Sequence, residues 1–358
     1  MDIVQILNDF CIKGEFSSYE VVAAGNINTT YKVFTIDNGK THQYLLQKIN
    51  KNVFKSPELI MENITKVNDY IDNSSNVSDL VILHFIKSKN NLPYFIDEDG
   101  GFWRVCKFFD CDYYNSTDDL EIIEGAGIAF GEFQYLLRDY DASTLHITIP
   151  DFHNTEKRLL KFKNTVKYST TDRIKECEEE IKYVLSNAEL GSTLCKLLEN
   201  NELPLRVTHN DTKCNNVIFK KGLKKALAVV DLDTIMPGLC GYDFGDGARS
   251  ICSSTEEDEA DVSKVYFDLN KFESFTKGYF KFLKNTITEK EKSTFALSVY
   301  VMTLELAVRF LQDYLDGDVY FKTTKEKHNL IRTRCQIALC KDIFNKLLVM
   351  NEIVKKYT

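Results

Sequence analysis

Residues 208–216 read T-H-N-D-T-K-C-N-N, and together with residues 227–233, L-A-V-V-D-L-D, they decide the fold and chemistry of this chain. The second stretch is a short run of Leu, Ala and Val that stops at carboxylates, which is typical of a buried strand ending at a site. An apolar triplet and a Lys/Gly turn lie between the two stretches and predict a hairpin. We therefore expect Asp211 and Asn216 to lie close to Asp231.

The residue types in this group are those that phosphoryl transfer requires. A carboxylate must orient an attacking hydroxyl and accept its proton, while an amide and a second carboxylate hold Mg²⁺ on the nucleotide phosphates. We predict that Asp211 is the base and that Lys213 balances charge on the γ-phosphate. Asn216 and Asp231 are the predicted Mg²⁺ ligands, and Asp233 is a weaker candidate. The alternative is a polar loop whose acids only form turns.

The spacing of these residues resembles that of known kinases. H-x-D-x-x-x-x-N, with Asp231 twenty residues after Asp211, is similar to the catalytic loop and metal-binding Asp of the protein-kinase-like fold. H-N-D-T-K-x-N-N and V-V-D-L-D-T-I-M-P-G more closely resemble the aminoglycoside phosphotransferase/choline kinase superfamily. Within it, they are most similar to the N-acetylhexosamine 1-kinases.

This resemblance implies both a fold and an activity. The fold is α+β and bilobal, with a small antiparallel-sheet N-terminal lobe and a larger, mostly helical C-terminal lobe. The activity is ATP- and Mg²⁺-dependent phosphorylation of the anomeric hydroxyl of GlcNAc or GalNAc, which yields the sugar 1-phosphate. The residues by themselves indicate only a small hydroxylated acceptor.

A D-F-G tripeptide that begins at Asp243 spells the metal-binding motif of protein kinases but is a poor candidate for that role. It lies thirty-two residues after Asp211 and follows a Pro/Gly-rich loop instead of ending a strand. We therefore assign the metal to Asp231. Asp243 and Asp246 are expected to hydrogen-bond the loop backbone and to open the next helix.

The length of the chain predicts two lobes. A chain of 358 residues exceeds what one hydrophobic core normally serves. We expect a nucleotide-binding lobe at residues 1–108 and a helical lobe with the catalytic loop and acceptor site at residues 109–358. The hinge is expected near residues 104–109.

Charge and cysteine usage argue against several classes of protein. The net charge of −8 disfavours a nucleic acid or an anionic membrane as a partner. The ten cysteines are scattered without a C-x-x-C pair, the N-terminus lacks a signal-peptide pattern, and no apolar run approaches about eighteen residues. We therefore expect a reduced cytoplasmic protein that binds ATP and a small acceptor, with a monomer favoured.

A turn near the N-terminus is the predicted phosphate-binding element. Residues 19–35 predict two strands joined by a turn in which backbone N–H groups can cradle phosphates. The sequence G-N-I-N-T-T-Y resembles the equivalent turn of the hexosamine kinase family, although an ordinary hairpin is the alternative. The residues assigned to this turn are Gly25, Asn26, Asn28, Thr29 and Thr30.

The next strand and helix supply a predicted cation and its partner. Residues 44–49 predict a strand whose Lys48 would bind the α- and β-phosphates. Glu58 and Glu62 share one face of the helix that follows. We expect Glu62 to pair with Lys48, although either acid could equally be a solvated helix charge.

Two further strands are expected to close the first sheet, at residues 81–85 and 103–109. The second of them, with the sequence W-R-V-C-K-F-F, is where the chain is expected to cross between the lobes. The backbone groups of Val105 and Lys107 would there hydrogen-bond an adenine.

The second lobe contains a glycine-bearing helix and a polar loop. Residues 120–138 predict a helix whose glycines imply close packing against another helix. The loop at residues 146–155 resembles the P-x-F-H-N-T stretch of the hexosamine kinases. That resemblance implies that His153 and Asn154 line the acceptor pocket, whereas helix capping is the alternative.

A long helix from about residue 288 to 315 is apolar on most sides and should be buried. It nevertheless carries Glu305, Arg309 and Asp313 at successive i,i+4 positions. A buried ion-pair stripe would satisfy these charges, and the alternative is that Arg309 reaches the acceptor pocket. The run E-L-A-V-R-F-L-Q-D-Y-L-D-G-D-V-Y-F-K resembles the hexosamine kinases, which implies that Arg309 and Tyr320 bind the sugar.

Two other functions were weighed against the sugar kinase. A choline, amino-alcohol or aminoglycoside kinase takes a cationic acceptor and should carry an aromatic and acidic box, for which Tyr113, Tyr114 and Tyr140 are candidates. A catalytically inactive nucleotide-binding scaffold is the other alternative. The simultaneous presence of an acid base and two metal ligands favours an active enzyme.

Overall fold

The first lobe is built on a five-stranded antiparallel sheet. The computed structural model describes residues 2–22, 28–76, 78–168 and 171–358. The elements of this lobe are α1 (Ile3–Leu7), β1 (Glu15–Val22), β2 (Thr29–Asp37), β3 (Lys40–Lys48), α2 (Pro57–Asn73), β4 (Phe95–Ile96) and β5 (Phe102–Lys107). The strand order is β1-β2-β3-β5-β4, and each pair is antiparallel.

The two faces of this sheet have different neighbours. On the outer face, Leu46 of β3 and Val105 of β5 join Ile6 and Leu7 of α1 in one buried cluster. On the inner face, Phe102 of β5 belongs to the large core that also contains α2 and the second lobe. Because successive side chains of a strand alternate between faces, the parity of a residue decides whether it faces the second lobe.

The prediction of a strand at residues 81–85 is wrong. Only Phe85 forms a bridge, to Cys106 of β5. The backbone N–H of Val81 instead donates to the carbonyl of Leu227 at 2.7 Å. The segment is therefore bound in part by the second lobe, and it cannot add a full strand to the first sheet.

The second lobe is mostly helical and carries two small sheets. Its elements are β6 (Cys111–Tyr113), α3 (Leu120–Leu136), α4 (Thr155–Tyr168), α5 (Glu178–Ser186), α6 (Ala188–Gly191), α7 (Thr193–Glu199), β7 (Arg206–Thr208), β8 (Val217–Lys220), β9 (Ala226–Val229), β10 (Met236–Gly238), α8 (Cys240–Ile251), α9 (Leu269–Leu283), α10 (Glu289–Asp316) and α11 (His328–Tyr357). Strands β7 and β10 form one pair, and β6, β8 and β9 form a three-stranded sheet. The expected division into a small antiparallel-sheet lobe and a larger helical lobe is confirmed.

Glycines bring α3 against α9, as expected from the sequence. A Cβ atom on Gly131 would lie 2.0 Å from the carbonyl oxygen of Tyr279, and one on Gly127 would lie 2.3 Å from that of Phe275. Gly278 of α9 approaches α3 equally closely. The two backbones touch where any larger residue would push them apart.

Helix α10 is the central helix of the second lobe. It begins with a capping box between Thr288 and Glu291 and ends at Gly317, whose φ is +99°. By length and composition, it is the one helix in the described ranges that could cross a membrane. Its most apolar window is 89% buried inside the protein, which is the arrangement of a core helix.

Candidate active site

A buried histidine organises the loop between β7 and β8. The Nδ1 atom of His209 accepts the backbone N–H of Asp211 at 3.2 Å, so the proton lies on Nε2, which donates to the carbonyl of Val230 at 2.8 Å. The rings of Phe130 and Phe133 meet the imidazole at steep angles. His209 thus joins the peptide of the predicted base to the end of β9.

Two buried carboxylates of α8 accept hydrogen bonds from the backbone of the same loop. The Asp243 carboxylate accepts the backbone N–H groups of His209 at 2.9 Å and Asn210 at 2.7 Å. Asp246 accepts the N–H of Thr212 at 2.9 Å. These contacts support the prediction that the two acids bind the loop backbone, and they use Asp243 for that purpose. The expectation that the two acids open the next helix is wrong, because α8 begins at Cys240 and both lie inside it.

The three residues expected to converge do so. The side-chain amide of Asn216 donates to the carbonyl of Asp211 at 2.7 Å and to its carboxylate at 3.2 Å. The N–H of Val230 donates to the carbonyl of Asn216 at 2.9 Å, which places Asp231 beside the loop. Burial in the cleft and the charges of Asp233 and Asp211 raise the pKa of Asp231 to about 6. These three side chains therefore share one electrostatic environment.

The chemistry of this donor set fits Mg²⁺. The amide hydrogens of Asn216 face Asp211, which leaves its Oδ1 without a hydrogen-bond donor among the described residues. Asp231 likewise receives no hydrogen bond within the described ranges, and its raised pKa shows that a nearby cation would be favourable. No cluster of three His, Cys, Asp or Glu residues suited to a metal occurs in the described part of the chain. Mg²⁺ is usually bound by one or two carboxylates together with substrate phosphates, and Asp231 with the Asn216 oxygen offers such a set.

Asp233 is committed to an ion pair and not to a metal. Both of its oxygens contact the guanidinium of Arg104 on β5, one of them at 3.0 Å. Oδ2 also accepts the side-chain amide of Asn28 at 2.9 Å. Arg104 and Asp233 are each only 2% exposed. The expectation that Asp233 binds Mg²⁺ is therefore corrected, because its lone pairs serve a buried link between the two lobes.

Arg104 is the residue that sequence analysis missed. Its Nε donates to Oε1 of Gln47 on β3 at 3.0 Å, and its guanidinium lies over the ring of Phe85. The available signal was an arginine within an otherwise apolar strand, since a buried guanidinium requires a carboxylate partner. The sequence did not indicate which carboxylate that would be.

Lys48 lies on the opposite face of the sheet from the one expected. It is paired in register with Trp103, and its Nζ lies 5.3 Å from the centroid of that ring. Trp103 belongs to the outer-face cluster. The neighbouring Gln47 occupies the inner face, where it contacts Arg104. Because successive residues of a strand point to opposite faces, Lys48 points away from the second lobe, which corrects its assignment to the phosphates.

The expected pair between Lys48 and Glu62 is not formed. The Glu62 carboxylate contacts the imidazole of His146, in the loop before α4. The adjacent Asn63 donates to the carbonyl of Ile235 at 2.9 Å and accepts the N–H of His146 at 2.8 Å. Through Glu62 and Asn63, helix α2 therefore contacts the second lobe, and Glu62 does not pair with Lys48 of β3.

The turn assigned to phosphate binding is described only in part. Two of its residues lie outside the described residues, namely Gly25 and Asn26. Thr29 and Thr30 begin β2 and pair with β3, while the amide of Asn28 donates to Asp233 at 2.9 Å and accepts the N–H of Asn50 at 3.0 Å. The described end of the turn is thereby tied to the loop that carries the metal-site carboxylate.

The crossing between the lobes follows the end of β5. Val105 lies inside β5 with its side chain buried, and its carbonyl accepts the N–H of Ile86 at 2.7 Å. One lone pair of this carbonyl is thus used inside the first lobe, and the assignment of Val105 to adenine stays a prediction. Lys107 is the last residue of β5, the N–H of Phe108 still donates to β3 at 3.0 Å, and β6 already belongs to the second lobe. Of the two residues assigned to adenine, only Lys107 stands beside the crossing.

His153 and Asn154 are placed by structural contacts. The ring of His153 is buried, with Nδ1 at 3.0 Å from the Glu305 carboxylate and Nε2 at 3.0 Å from the carbonyl of Asn210. Both ring nitrogens are thus occupied, which corrects its assignment as a sugar-binding residue. The Oδ1 atom of Asn154 accepts the N–H of Lys157 at 2.9 Å, so Asn154 caps α4.

The three charges of α10 go to three different places. Glu305 binds His153, and Asp313 accepts the backbone N–H groups of residues 319–321 at 2.8–3.0 Å. Arg309 has no carboxylate within 4.0 Å in the described part of the chain. Its guanidinium lies 6.0 Å from the centroid of the Phe152 ring and 5.4 Å from that of the Phe321 ring. The expected ion-pair stripe is not formed.

Arg309 belongs to a surface that we call the acceptor-side surface, made up of Phe152, Arg309, Tyr320 and Phe321. The rings of Tyr320 and Phe321 pack edge to face at 4.8 Å, and Tyr320 is 67% exposed. Phe152 contacts the ring of His153 at 4.6 Å, which connects this surface to the catalytic loop. An arginine between aromatic rings is positioned without consuming its hydrogen-bond donors.

Comparisons with known proteins show the family and the fold of this chain. A model of the phosphotransferase enzyme family matches residues 18–269. An aminoglycoside phosphotransferase from Alicyclobacillus acidocaldarius superposes with a TM-score of 0.62 at 10% identity, over 99% of this chain and 97% of that one. A choline kinase from Cryptosporidium parvum gives 0.58 at 15% identity over 99% of each chain. A spectinomycin phosphotransferase solved with ADP and spectinomycin gives 0.53 at 11% identity, over 99% and 98%. These structures share the protein-kinase-like fold with this chain.

The structural role of Asp233 can be tested by Asp233→Asn. The change leaves the Arg104 guanidinium buried without its countercharge, so we expect a loss of about 3–5 kcal/mol in the free energy of unfolding. The measurement is chemical denaturation of the Mg²⁺-free protein. Asp79→Asn, which breaks an exposed pair with Lys225, is the control and should cost less than about 1 kcal/mol. Normal stability combined with lost Mg²⁺ binding would instead make Asp233 a ligand.

The metal-site role of Asp231 predicts a gain in stability when its charge is removed. Because the pKa of Asp231 is raised to about 6, the folded protein retains a proton that the unfolded chain loses between about pH 4 and pH 6. The free energy of unfolding must therefore fall as the pH rises through that window. Asp231→Asn should raise the melting temperature of the Mg²⁺-free protein at neutral pH by about 2 °C.

The same variant should also lose any stabilisation by Mg²⁺ together with ATP, because one carboxylate ligand is gone. Melting curves with and without Mg²⁺·ATP measure both effects. A variant that melts lower than the wild type without Mg²⁺, yet gains as much on adding Mg²⁺·ATP, would contradict this assignment.

Proposed function

The chain belongs to the phosphotransferase enzyme family, and on that basis we propose that it is an ATP- and Mg²⁺-dependent kinase of N-acetylhexosamines. Its product would be the sugar 1-phosphate of GlcNAc or GalNAc. The observation that carries the proposal is the convergence of Asp211, Asn216 and Asp231 on one site at the end of β9. The spectinomycin phosphotransferase solved with ADP supports an adenine nucleotide as the donor.

Asp211 is the proposed base. Its carboxylate lies 3.0 Å from Nζ of Lys213 and accepts a hydrogen bond from Asn216, so it is held on two sides. It would orient the anomeric hydroxyl and accept its proton as the sugar oxygen bonds to the γ-phosphorus and the bond to the ADP oxygen breaks. The charge of Asp211 is the main cause that raises the pKa of Lys213, so this lysine remains a cation that can offset charge on the phosphoryl group.

Asn216 and Asp231 are the proposed holders of Mg²⁺, through the Oδ1 atom and the carboxylate that receive no hydrogen bond from the described residues. The ion, when bound, would neutralise phosphate charge. The corrected placement of Lys48 leaves the phosphates to depend on this site, on Lys213 and on the phosphate turn.

The charge around the acceptor-side surface favours a neutral acceptor. Arg309 and Arg158 lie on this side of the catalytic loop, with Glu305 as the nearby acid that both of them influence. Glu305 is already bound by His153 and by the hydroxyl of Thr155. A choline-like or amino-alcohol cation would therefore meet guanidinium groups where it needs an acidic box. A sugar with an N-acetyl carbonyl instead offers acceptors for guanidinium donors.

The tyrosines considered for a cation-binding box are used elsewhere. Tyr114 packs edge to face on Phe219 at 5.4 Å, and Tyr140 packs on Tyr70 of α2 at 5.0 Å. Tyr113 lies in β6, paired with β8. These contacts do not assemble an aromatic cage for a cationic acceptor.

The first test is an assay of ADP release with a panel of acceptors. We expect turnover with GlcNAc or GalNAc and ATP, and none or little with choline, homoserine or an aminoglycoside. Asp211→Asn should lower kcat by about 10²–10⁴-fold, because it removes proton acceptance, while leaving ATP binding intact. Preference for choline would favour the amino-alcohol kinase, and nucleotide binding without any turnover would favour the inactive scaffold.

The second test concerns the role of Arg309 in acceptor binding. Arg309→Gln should raise KM for the sugar by about 10-fold or more, since a hydrogen bond to a charged donor is worth about 1.5–3 kcal/mol, while KM for ATP stays unchanged. Arg138→Gln is a matched control, because Arg138 also lies over an aromatic ring, that of Tyr135. Equal KM values for the sugar in wild type and Arg309→Gln would rule out this role.

A further inference from the structure

We propose that His153 is a positioning residue for the base, acting as an imidazolium that holds the carbonyl of Asn210, one residue before Asp211. Glu305 of α10 holds the imidazolium from its other side. The inference rests on the proposed function, because it treats Asp211 as the base. It assigns to His153 a role in turnover without contact to ATP or acceptor.

The two hydrogen bonds of His153 define its protonation. Nε2 lies 3.0 Å from the carbonyl oxygen of Asn210, and Nδ1 lies 3.0 Å from a carboxylate oxygen of Glu305. A carbonyl and a carboxylate can only accept, so both ring nitrogens must carry a proton. The other oxygen of Glu305 accepts the hydroxyl of Thr155 at 2.7 Å. The acid is thus satisfied on both oxygens as a carboxylate.

Asn210 is the part of the catalytic loop that needs to be held. Its φ of +65° is in the left-handed region, which costs a non-glycine residue energy unless its surroundings fix it. Its N–H donates to Asp243 at 2.7 Å, and its side-chain amide donates to the carbonyl of Thr234 at 2.9 Å. The contact from His153 fixes its carbonyl. That carbonyl belongs to the peptide plane whose other end is the N–H of Asp211.

The charged groups around His153 come from three helices. Glu305 and Arg309 lie on α10, Arg158 lies on α4 at 3.4 Å from Glu305, and α8 contributes Asp246 and Tyr242, whose ring is 5.2 Å from the imidazole.

Burial opposes a charge on the imidazole, but the attraction of the two carboxylates outweighs it and raises the pKa of His153. The pKa of Glu305 is lowered to about 2, because its bound cations outweigh the effect of burial. The contact of His153 with Asn210 therefore persists to a higher pH than an ordinary imidazole would allow, and it is lost as the pH rises through the raised pKa. Turnover should show an alkaline limb that reports this group.

The test compares His153→Gln, Glu305→Gln and the double variant with the wild type. His153→Gln can donate to only one of the two acceptors, so we expect kcat to fall by about 10²-fold, the effect of a small misplacement of the base, with ATP affinity changed by less than about 2-fold. Glu305→Gln keeps the ring but removes its carboxylate, so the alkaline limb of kcat should move to lower pH. The double variant should be no worse than His153→Gln, because both changes break one chain of contacts.

The matched control is His84→Gln, which alters an exposed histidine that lies 3.4 Å from Asp72. It should leave kcat and its pH profile unchanged. Wild-type kcat and alkaline limb in His153→Gln would overturn the inference. So would equal losses of ATP affinity and kcat, which would indicate a general disturbance of the fold. If His153→Gln fails to fold, the shift of the alkaline limb in Glu305→Gln decides the matter alone.

If the wild-type protein phosphorylates no acceptor, the proposed function is refuted. That result alone does not refute the protonated state and contacts inferred for His153. Nitrogen-15 NMR of labelled histidine then decides it. One ring that stays doubly protonated above neutral pH in the wild type, and becomes neutral there in Glu305→Gln, supports the inference. The absence of such a ring overturns it.

Discussion

The catalytic loop depends on buried carboxylates that accept its backbone N–H groups. A loop carrying a base cannot pair its backbone within a sheet or helix, and each unpaired buried N–H costs about 1–3 kcal/mol. Asp243 and Asp246 supply the missing acceptors from one helix, α8. Burying these acids is affordable only because the loop and Arg249 surround them with donors. The loop and the helix therefore stabilise each other.

A second buried charge joins the lobes. Arg104 comes from the first sheet and Asp233 from the segment after β9, and the pair is closed to solvent. Because Asp233 lies two residues from Asp231, this ion pair links the first lobe to the segment that carries the carboxylate proposed to bind Mg²⁺. Asn28 extends the link to the end of the phosphate turn. The carboxylate of Asp233 thus contacts both the first sheet and the end of the turn assigned to phosphate binding.

The catalytic group could be predicted from sequence because its residues are close along the chain and their spacing is set by local geometry. The hairpin of β8 and β9 returns Asp231 to the loop within twenty residues, and the contacts of Asp243 and Asp246 with the loop backbone followed from their position near the start of a helix. Lys48 could not be placed so easily. The apolar residues beside it, Leu45 and Leu46, are adjacent and fall on opposite faces of β3, so the sequence does not show which face is the inner one. A shift of one residue then exchanges Lys48 for Gln47. The partners of Asp233 and His153 come from distant parts of the chain, and no local pattern specifies such pairs.

Helix α10 connects two tasks that are usually separable. Near the middle of α10, Glu305 contacts His153, which in turn contacts the peptide next to the proposed base. Two turns later, Asp313 accepts the backbone N–H of Tyr320. A helix is stiff over this distance, so any tilt of α10 that adapts the pocket to a bulkier acceptor also displaces the base. If the proposed acceptor site is right, changes in acceptor preference are therefore expected in the segment beyond Gly317, outside α10. Substitutions in that segment can alter the proposed pocket without moving α10, and therefore without moving Glu305.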